Sequence, residues 1–380
     1  MRTQFILGTA VAALLPLVMT TSAQATVVET QRHQVELTTI AEGLEFPWGM
    51  AFLPDGTLLV TERVGNLRHV TLSGDISAPI AGVPKVVAQG QGGLLDVVLD
   101  PDYASNQFIY LAYSEPAPAG ASGSSTAVAR AKFDGKQLTE VKVLFSANPK
   151  WSSNHHFGAR LVFSADGEYL FITLGDRGNR RDDAQALNNH NGKVVRIHKD
   201  GRVPADNPFV NQPGALKEIW SWGHRNVQGA ALHPDTGELW TNEHGPKGGD
   251  EINIARAGNN YGWPIATFGV NYDNTVISPL TAAPRTEQPY YYWVPSIATS
   301  NMLFYSGDAF PAWRGDLLVT ALRGSVVARL DLDGERIMHE ERLFGELNAR
   351  LRDIEQGPEG YLYLITDDRN GKLIQVKPAK

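Results

Sequence analysis

The chain has 380 residues, carrying 34 Lys and Arg against 41 Asp and Glu, a formal net charge of −7. Scattered charges of both signs with an acidic balance argue against nucleic acid as a partner. Cysteine is absent, so no disulfide contributes and stability falls to core packing and to any bound metal.

The first 25 residues read as a secretory signal peptide: Arg2, an apolar stretch from Phe5 to Met19, then the small-residue cleavage pattern Ser22-Ala23-Gln24-Ala25. No later stretch is long and apolar enough to cross a bilayer, so membrane insertion is not expected. The remainder, 26–380, is expected to form one exported all-β domain.

One pattern then recurs along the chain: an apolar strand, a turn with Asp, Pro or Gly, and a second apolar strand. It appears at Met50–Val60, Leu95–Leu111, Leu161–Ile172, Ala230–Trp240, Met302–Val319 and Asp353–Leu364. Asp-Gly turns have a mechanism, because glycine accepts the positive φ that a tight hairpin needs. Six such hairpins predict a six-bladed β-propeller, whereas a β-sandwich would not repeat one pattern six times. The one helix expected is short, from Asp182 to Leu187. Ligands of propellers sit at one channel mouth in loops from several blades, so the long insertions are where chemistry is sought.

In chain order, the first insertion is Gln89-Gly90-Gln91-Gly92-Gly93. It lacks the Lys-Ser/Thr ending of a phosphate loop, and Gln91 reads better as a hydrogen-bonding contact to a ligand. Asn154-His155-His156-Phe157-Gly158 holds two adjacent histidines, of which an extended backbone turns only one toward a pocket. A neutral imidazole is the usual general base near neutral pH, and a packed histidine is the alternative. Ser221 to Gly229 offers Arg225, Asn226 and Gln228. Arg350 and Arg352, at alternate positions, share one strand face, and Arg323 adds a cation. Arginines from distant blades suit a polyanionic small ligand. The run Asn242 to Glu251 combines glycines with Glu243, Asp250 and Glu251, hard oxygen ligands of the kind Ca²⁺ selects; a solvated loop is the alternative.

Taken together, Gly90–Asp96, Asn154–Gly158, Gly223–Gly229, Asn242–Asn253, Asn259–Pro264 and Arg350–Asp353 resemble the soluble quinoprotein sugar dehydrogenases, the glucose/sorbosone dehydrogenase family. The resemblance covers essentially the whole mature chain. It implies a periplasmic six-bladed propeller that binds pyrroloquinoline quinone (PQQ) and Ca²⁺. Such a protein oxidises aldoses at the anomeric hydroxyl to the lactone and passes electrons to an external acceptor. By the same resemblance His156 is the general base, oriented by Asp176. Gln91, Arg225, Asn226, Tyr272, Arg323, Arg350 and Arg352 contact PQQ, with Arg225 also stabilising charge in the reaction. The carbonyls of Gly245 and Pro246 ligate the Ca²⁺ on PQQ, and Asp250, Glu251 and Tyr261 hold a second Ca²⁺. Two other readings stay open: a Ca²⁺-dependent lactonase on a similar propeller, and a non-catalytic carbohydrate-binding propeller.

Overall fold

Six antiparallel sheets follow one another along residues 25–379, the part that the computed structural model describes. The expected signal peptide lies outside these residues, apart from Ala25. Among the described residues no helix is long and apolar enough to cross a membrane.

The first sheet comprises Pro47–Phe52, Leu58–Glu62 and Asn66–Val70. The second has Leu94–Leu99, Phe108–Pro116, Ser124–Phe133 and Leu138–Ser146; the third Leu161–Phe163, Tyr169–Thr173, Lys193–His198 and Ile219–Trp222. The fourth has Val227–Leu232, Leu239–Glu243, Asp250–Ile254 and Tyr291–Trp293; the fifth Thr299–Phe304, Leu317–Ala321, Val327–Asp333 and Arg336–Leu343. The sixth joins both ends of the described chain. Leu351–Gln356, Leu362–Thr366 and Gly371–Pro378 are extended by Gln34–Leu44 and then Thr26–Glu29. The first strands of the six sheets neighbour one another round a closed ring. This is the six-bladed propeller that the repeats predicted.

Each predicted hairpin is the inner pair of one blade. Four of the second strands, Leu58–Glu62, Leu239–Glu243, Leu317–Ala321 and Leu362–Thr366, are buried at every residue, because neighbouring blades cover both faces. That is why they read as continuous apolar runs. The turns follow the sequence chemistry: Asp55 Oδ1 accepts from the Thr57 N–H at 3.0 Å, and Gly56 takes φ +83°. Between the second and third blades Leu95, Tyr110, Leu161, Leu170 and Ile172 interlock, with Trp48 of the first blade packed against them. Burying each such side chain contributes about 1.5–3 kcal/mol.

Two local details depart from expectation. The helix expected at 182–187 is a 3₁₀ turn, Arg181–Gln185. The buried Lys193 ammonium donates to the Asp183 and Ala184 carbonyls at 3.0 and 3.1 Å, holding the tight turn. A further short helix, Tyr103–Asn106, sits in the connection of the second hairpin.

A buried ionic knot ties four blades together. Arg160 Nη1 lies 2.8 Å from Asp96 Oδ1 and 3.3 Å from Asp353 Oδ1, and Asn301 also donates to Asp353. Its guanidinium stacks over Trp48 at 4.5 Å.

Candidate active site

His156 stands where loops of three blades meet. It adopts φ +53°, and its backbone N–H donates to Gln91 Oε1 at 2.8 Å. Its side chain is only 12% exposed, and its Nδ1 lies 2.6 Å from Oδ1 of the fully buried Asp176. A carboxylate at that distance accepts the Nδ1 proton, which leaves Nε2 with the free lone pair. Burial, then the nearby Arg225 guanidinium, push the His156 pKa below its usual value, while Asp176 opposes them. The imidazole is therefore neutral and able to accept a proton at pH 7. The approach is close: a Cβ on Gly175 would lie 2.2 Å from the His156 carbonyl oxygen, so only glycine fits there.

Arg225 is anchored from two sides. Its backbone N–H donates to Glu243 Oε2, and Nη1 donates to the His244 and Gly245 carbonyls at 2.9 and 2.8 Å. Asn226 Oδ1 accepts from the Gly158 N–H at 3.2 Å, while its buried Nδ2 has no partner in the protein.

A cavity of about 130 Å³ opens nearby, walled by Trp48 and Phe157 and lined by Gln91, Arg63, Arg350 and Arg352. Asp367 gathers the cations: Arg350 Nη2 and Arg352 Nη2 each reach its Oδ2 at 3.1 Å, and Arg63 lies 3.9 Å from Oδ1. Arg352 also donates to Gln228 Oε1 at 3.1 Å, yet its buried Nε has no partner. Three guanidiniums against one carboxylate, two aromatic walls and unspent buried donors fit a flat polyanion.

A second, smaller cavity is lined by Glu243, Glu251, Gly245, Tyr261, Trp263 and Arg225. Glu243 and Glu251 are paired directly across adjacent strands. Burial first, and then the Glu243 charge, push the Glu251 carboxyl well above the ordinary range. Opposed desolvated carboxylates are what a hard cation relieves. Among the described residues no three His, Asp or Glu side chains could hold a metal by themselves, so backbone carbonyls would have to complete a shell.

Other predicted residues are placed differently. Asp250 Oδ1 accepts from the Gly245 N–H at 2.9 Å and from Ser296 at 2.8 Å, and Oδ2 accepts from Ala298 N–H at 2.6 Å. Both oxygens are thus committed to the protein, and Asp250 anchors the loop instead of facing the cavity. The Tyr261 hydroxyl is likewise spent, donating to the Ile254 carbonyl, which leaves its backbone oxygen as the expected donor. Pro246 is buried beside Gly269. Tyr272 is 71% exposed and Arg323 is exposed, and neither lines either cavity. At the latter place it is Leu322 that faces the cationic cavity.

Sequence reading missed Arg63, His244 and Asp367. Each is the first residue after the second strand of its blade, as is Leu322. Trp48, Leu95, Gln228 and Arg352 are each the second residue of a first strand. The six hairpins therefore encode the lining by position, a signal that the repeats alone could have supplied.

Ser221 Oγ, His224 and Glu243 stand in series with contacts of 2.9 and 2.9 Å. In an open site this would activate a nucleophile. Ser221 and His224 have no exposed surface, so no substrate reaches Oγ and hydrolysis gains no support.

The family described as Glucose / Sorbosone dehydrogenase matches residues 44–375. Aldose sugar dehydrogenase YliI of Escherichia coli is 45% identical over 347 residues, 90% of this chain and 93% of that protein. The crystal structure of the soluble aldose sugar dehydrogenase from Escherichia coli in the apo-form superposes with a TM-score of 0.87. It is 44% identical and covers 91% of this chain and 100% of that one. The PQQ-bound form of aldose sugar dehydrogenase from Streptomyces coelicolor gives a TM-score of 0.73 at 28% identity, covering 94% and 99%. With a matched span of this extent and the same propeller, the chain belongs to the glucose/sorbosone dehydrogenase family.

Proposed function

We propose that the protein is a periplasmic, PQQ- and Ca²⁺-dependent aldose dehydrogenase that oxidises the anomeric C1 hydroxyl to the lactone and passes electrons to an external acceptor. The observation that carries this reading is the His156–Asp176 pair standing beside a guanidinium-lined, aromatic-walled cavity. When bound, PQQ supplies the two-electron acceptor and Ca²⁺ the charge that polarises it. Arg63, Arg350 and Arg352 meet the carboxylates of that group, and Gln91 and Asn226 offer neutral donors. Gly245 and Pro246 offer carbonyl oxygens to its metal. A further cation is met by Glu251, with Glu243 opposite and the Tyr261 carbonyl beside it.

His156 does the proton chemistry. Its Nε2 takes the proton of the sugar hydroxyl, while Asp176 stabilises the imidazolium that forms at Nδ1. Arg225, held by two carbonyls, keeps a fixed positive charge beside the base, which lowers its proton affinity.

Replacing His156 by Ala is expected to lower turnover with an aldose and an artificial dye by about 10²–10⁴-fold. PQQ binding, read by calorimetry, is expected to be kept. The native acid limb of kcat/KM should lie below pH 6.5, because activity is lost only as pH falls through the depressed His156 midpoint. Native-like turnover in the alanine variant would sink the assignment.

A further inference from the structure

Trp263 touches both Asp176 and Arg225 and takes no part in the proton chemistry described above. Its indole Nε1 donates to Asp176 Oδ2 at 2.7 Å. The other carboxylate oxygen, Oδ1, receives His156 Nδ1 at 2.6 Å and the Gly178 N–H at 2.7 Å. The indole ring also lies 5.4 Å from the Arg225 guanidinium. Trp263 is itself held firmly: its backbone N–H donates to the Gly223 carbonyl at 2.9 Å, and its own carbonyl accepts from Gln185 Nε2 at 2.7 Å. It is 7% exposed.

A carboxylate divides its charge between two oxygens, and a donor on one oxygen draws charge away from the other. In the buried setting of Asp176 such a contact is stronger than it would be in water. The partner that orients an imidazole also sets its basicity. We propose that Trp263 is a positioning residue for the His156 base: its indole N–H holds charge on Asp176 Oδ2, which keeps the Oδ1 contact from over-stabilising the imidazolium and leaves His156 in its proton-accepting form. This inference rests on the reading of His156 as the base.

The charged and titratable groups facing His156 are Asp176, Arg225, His155 and His244. His155 stands with its ring 6.2 Å away. Asp176 is the one of these hydrogen-bonded to the ring, so a change made at Trp263 reaches the base through it.

The test is the titration of His156 in the cofactor-free full chain, followed by NMR of ¹⁵N-labelled histidine and assigned with His156→Gln. Trp263→Phe removes the N–H and keeps an aromatic ring. Its His156 midpoint should rise by about one pH unit, the size of one hydrogen bond to a charged group. In the PQQ-loaded variant the acid limb of kcat/KM should move upward by the same amount. A midpoint that stays or falls in a folded variant overturns the proposal. If Trp263→Phe does not fold, the native indole ¹⁵N–¹H resonance decides: it should move as His156 titrates, and a signal that does not move overturns the proposal. The base assignment fails separately, through native-like turnover in His156→Ala, and that result leaves the titration of the pair untouched.

Discussion

The cavity lined by Arg63, Arg350 and Arg352 and the smaller one lined by Glu243 and Glu251 share His244 as a wall, yet they are charged in opposite senses. In the first, three guanidiniums converge on one carboxylate, so positive charge is left over. In the second, two buried carboxylates face one another and Glu251 is pushed toward its neutral form. Between them His244 adds nothing to either side. Desolvation, then Arg225 and Arg352, push its pKa down to about 3, and its Nε2 is tied to the Thr299 carbonyl. An anion and a cation can therefore be held side by side, each by its own walls, with a neutral ring between them. On the proposed reading, recognition of PQQ and of the cation is separable, and mutations should separate it.

The largest effect is expected at Arg352. Arg352→Ala removes the best-buried guanidinium of the cationic cavity and leaves Asp367 with Arg350 and the more distant Arg63. PQQ affinity measured by titration calorimetry should fall about 100-fold, the cost of losing charge-assisted hydrogen bonds. Stabilisation by Ca²⁺ alone should be unchanged. Loss of both together would mean that the cavities are not independent.

A smaller effect belongs to the acidic side. Added Ca²⁺ should raise the melting temperature of the native protein by a few degrees, since a ligand that binds only the folded state stabilises it by mass action. In Glu251→Gln most of that rise should disappear, as read by differential scanning fluorimetry. An undiminished rise would place the cation elsewhere.

The smallest effect concerns Asp367. Burial alone would raise its pKa, but Arg352, Arg63 and Arg350 outweigh burial and hold it below the ordinary carboxylate value. A depressed carboxylate contributes stability above its unfolded pKa and loses it as pH falls through the folded one. Asp367→Asn should therefore be less stable than the native protein at pH 7, with the gap closing below about pH 4. Denaturant midpoints across pH read this directly, and a gap that does not change with pH would mean that the arginines are not what holds Asp367.

Much of this was legible in the sequence because inner hairpins carry both an apolar period and a turn residue. Asp55-Gly56 and Asp166-Gly167 announce their turns, and Leu58 to Val60 announce a strand buried on both faces. Outer strands such as Leu138–Ser146 were not legible, since their middle residues face solvent and the strand carries Glu140 and Lys142. Nor was the pairing of Gln34–Leu44 with Gly371–Pro378, which no local pattern encodes. At the site, His156 and Gln91 stand in distinctive loops, and Arg350 and Arg352 mark the start of a strand by their alternate spacing. Arg63 and Asp367 each follow an ordinary strand and gain meaning only from the ring. Asp250 shows what a local pattern leaves undecided: an acid among glycines suits a metal ligand, and equally suits an anchor for the N–H groups that such a turn exposes.

The sixth blade is built from both ends of the described chain, and it also carries Arg350, Arg352 and Asp367. The cationic wall therefore has a closed ring behind it only through the pairing of residues 371–378 with strand 34–44. The blade that positions Arg350 and Arg352 is thus also the clasp of the ring, so the order of one depends on the closure of the other.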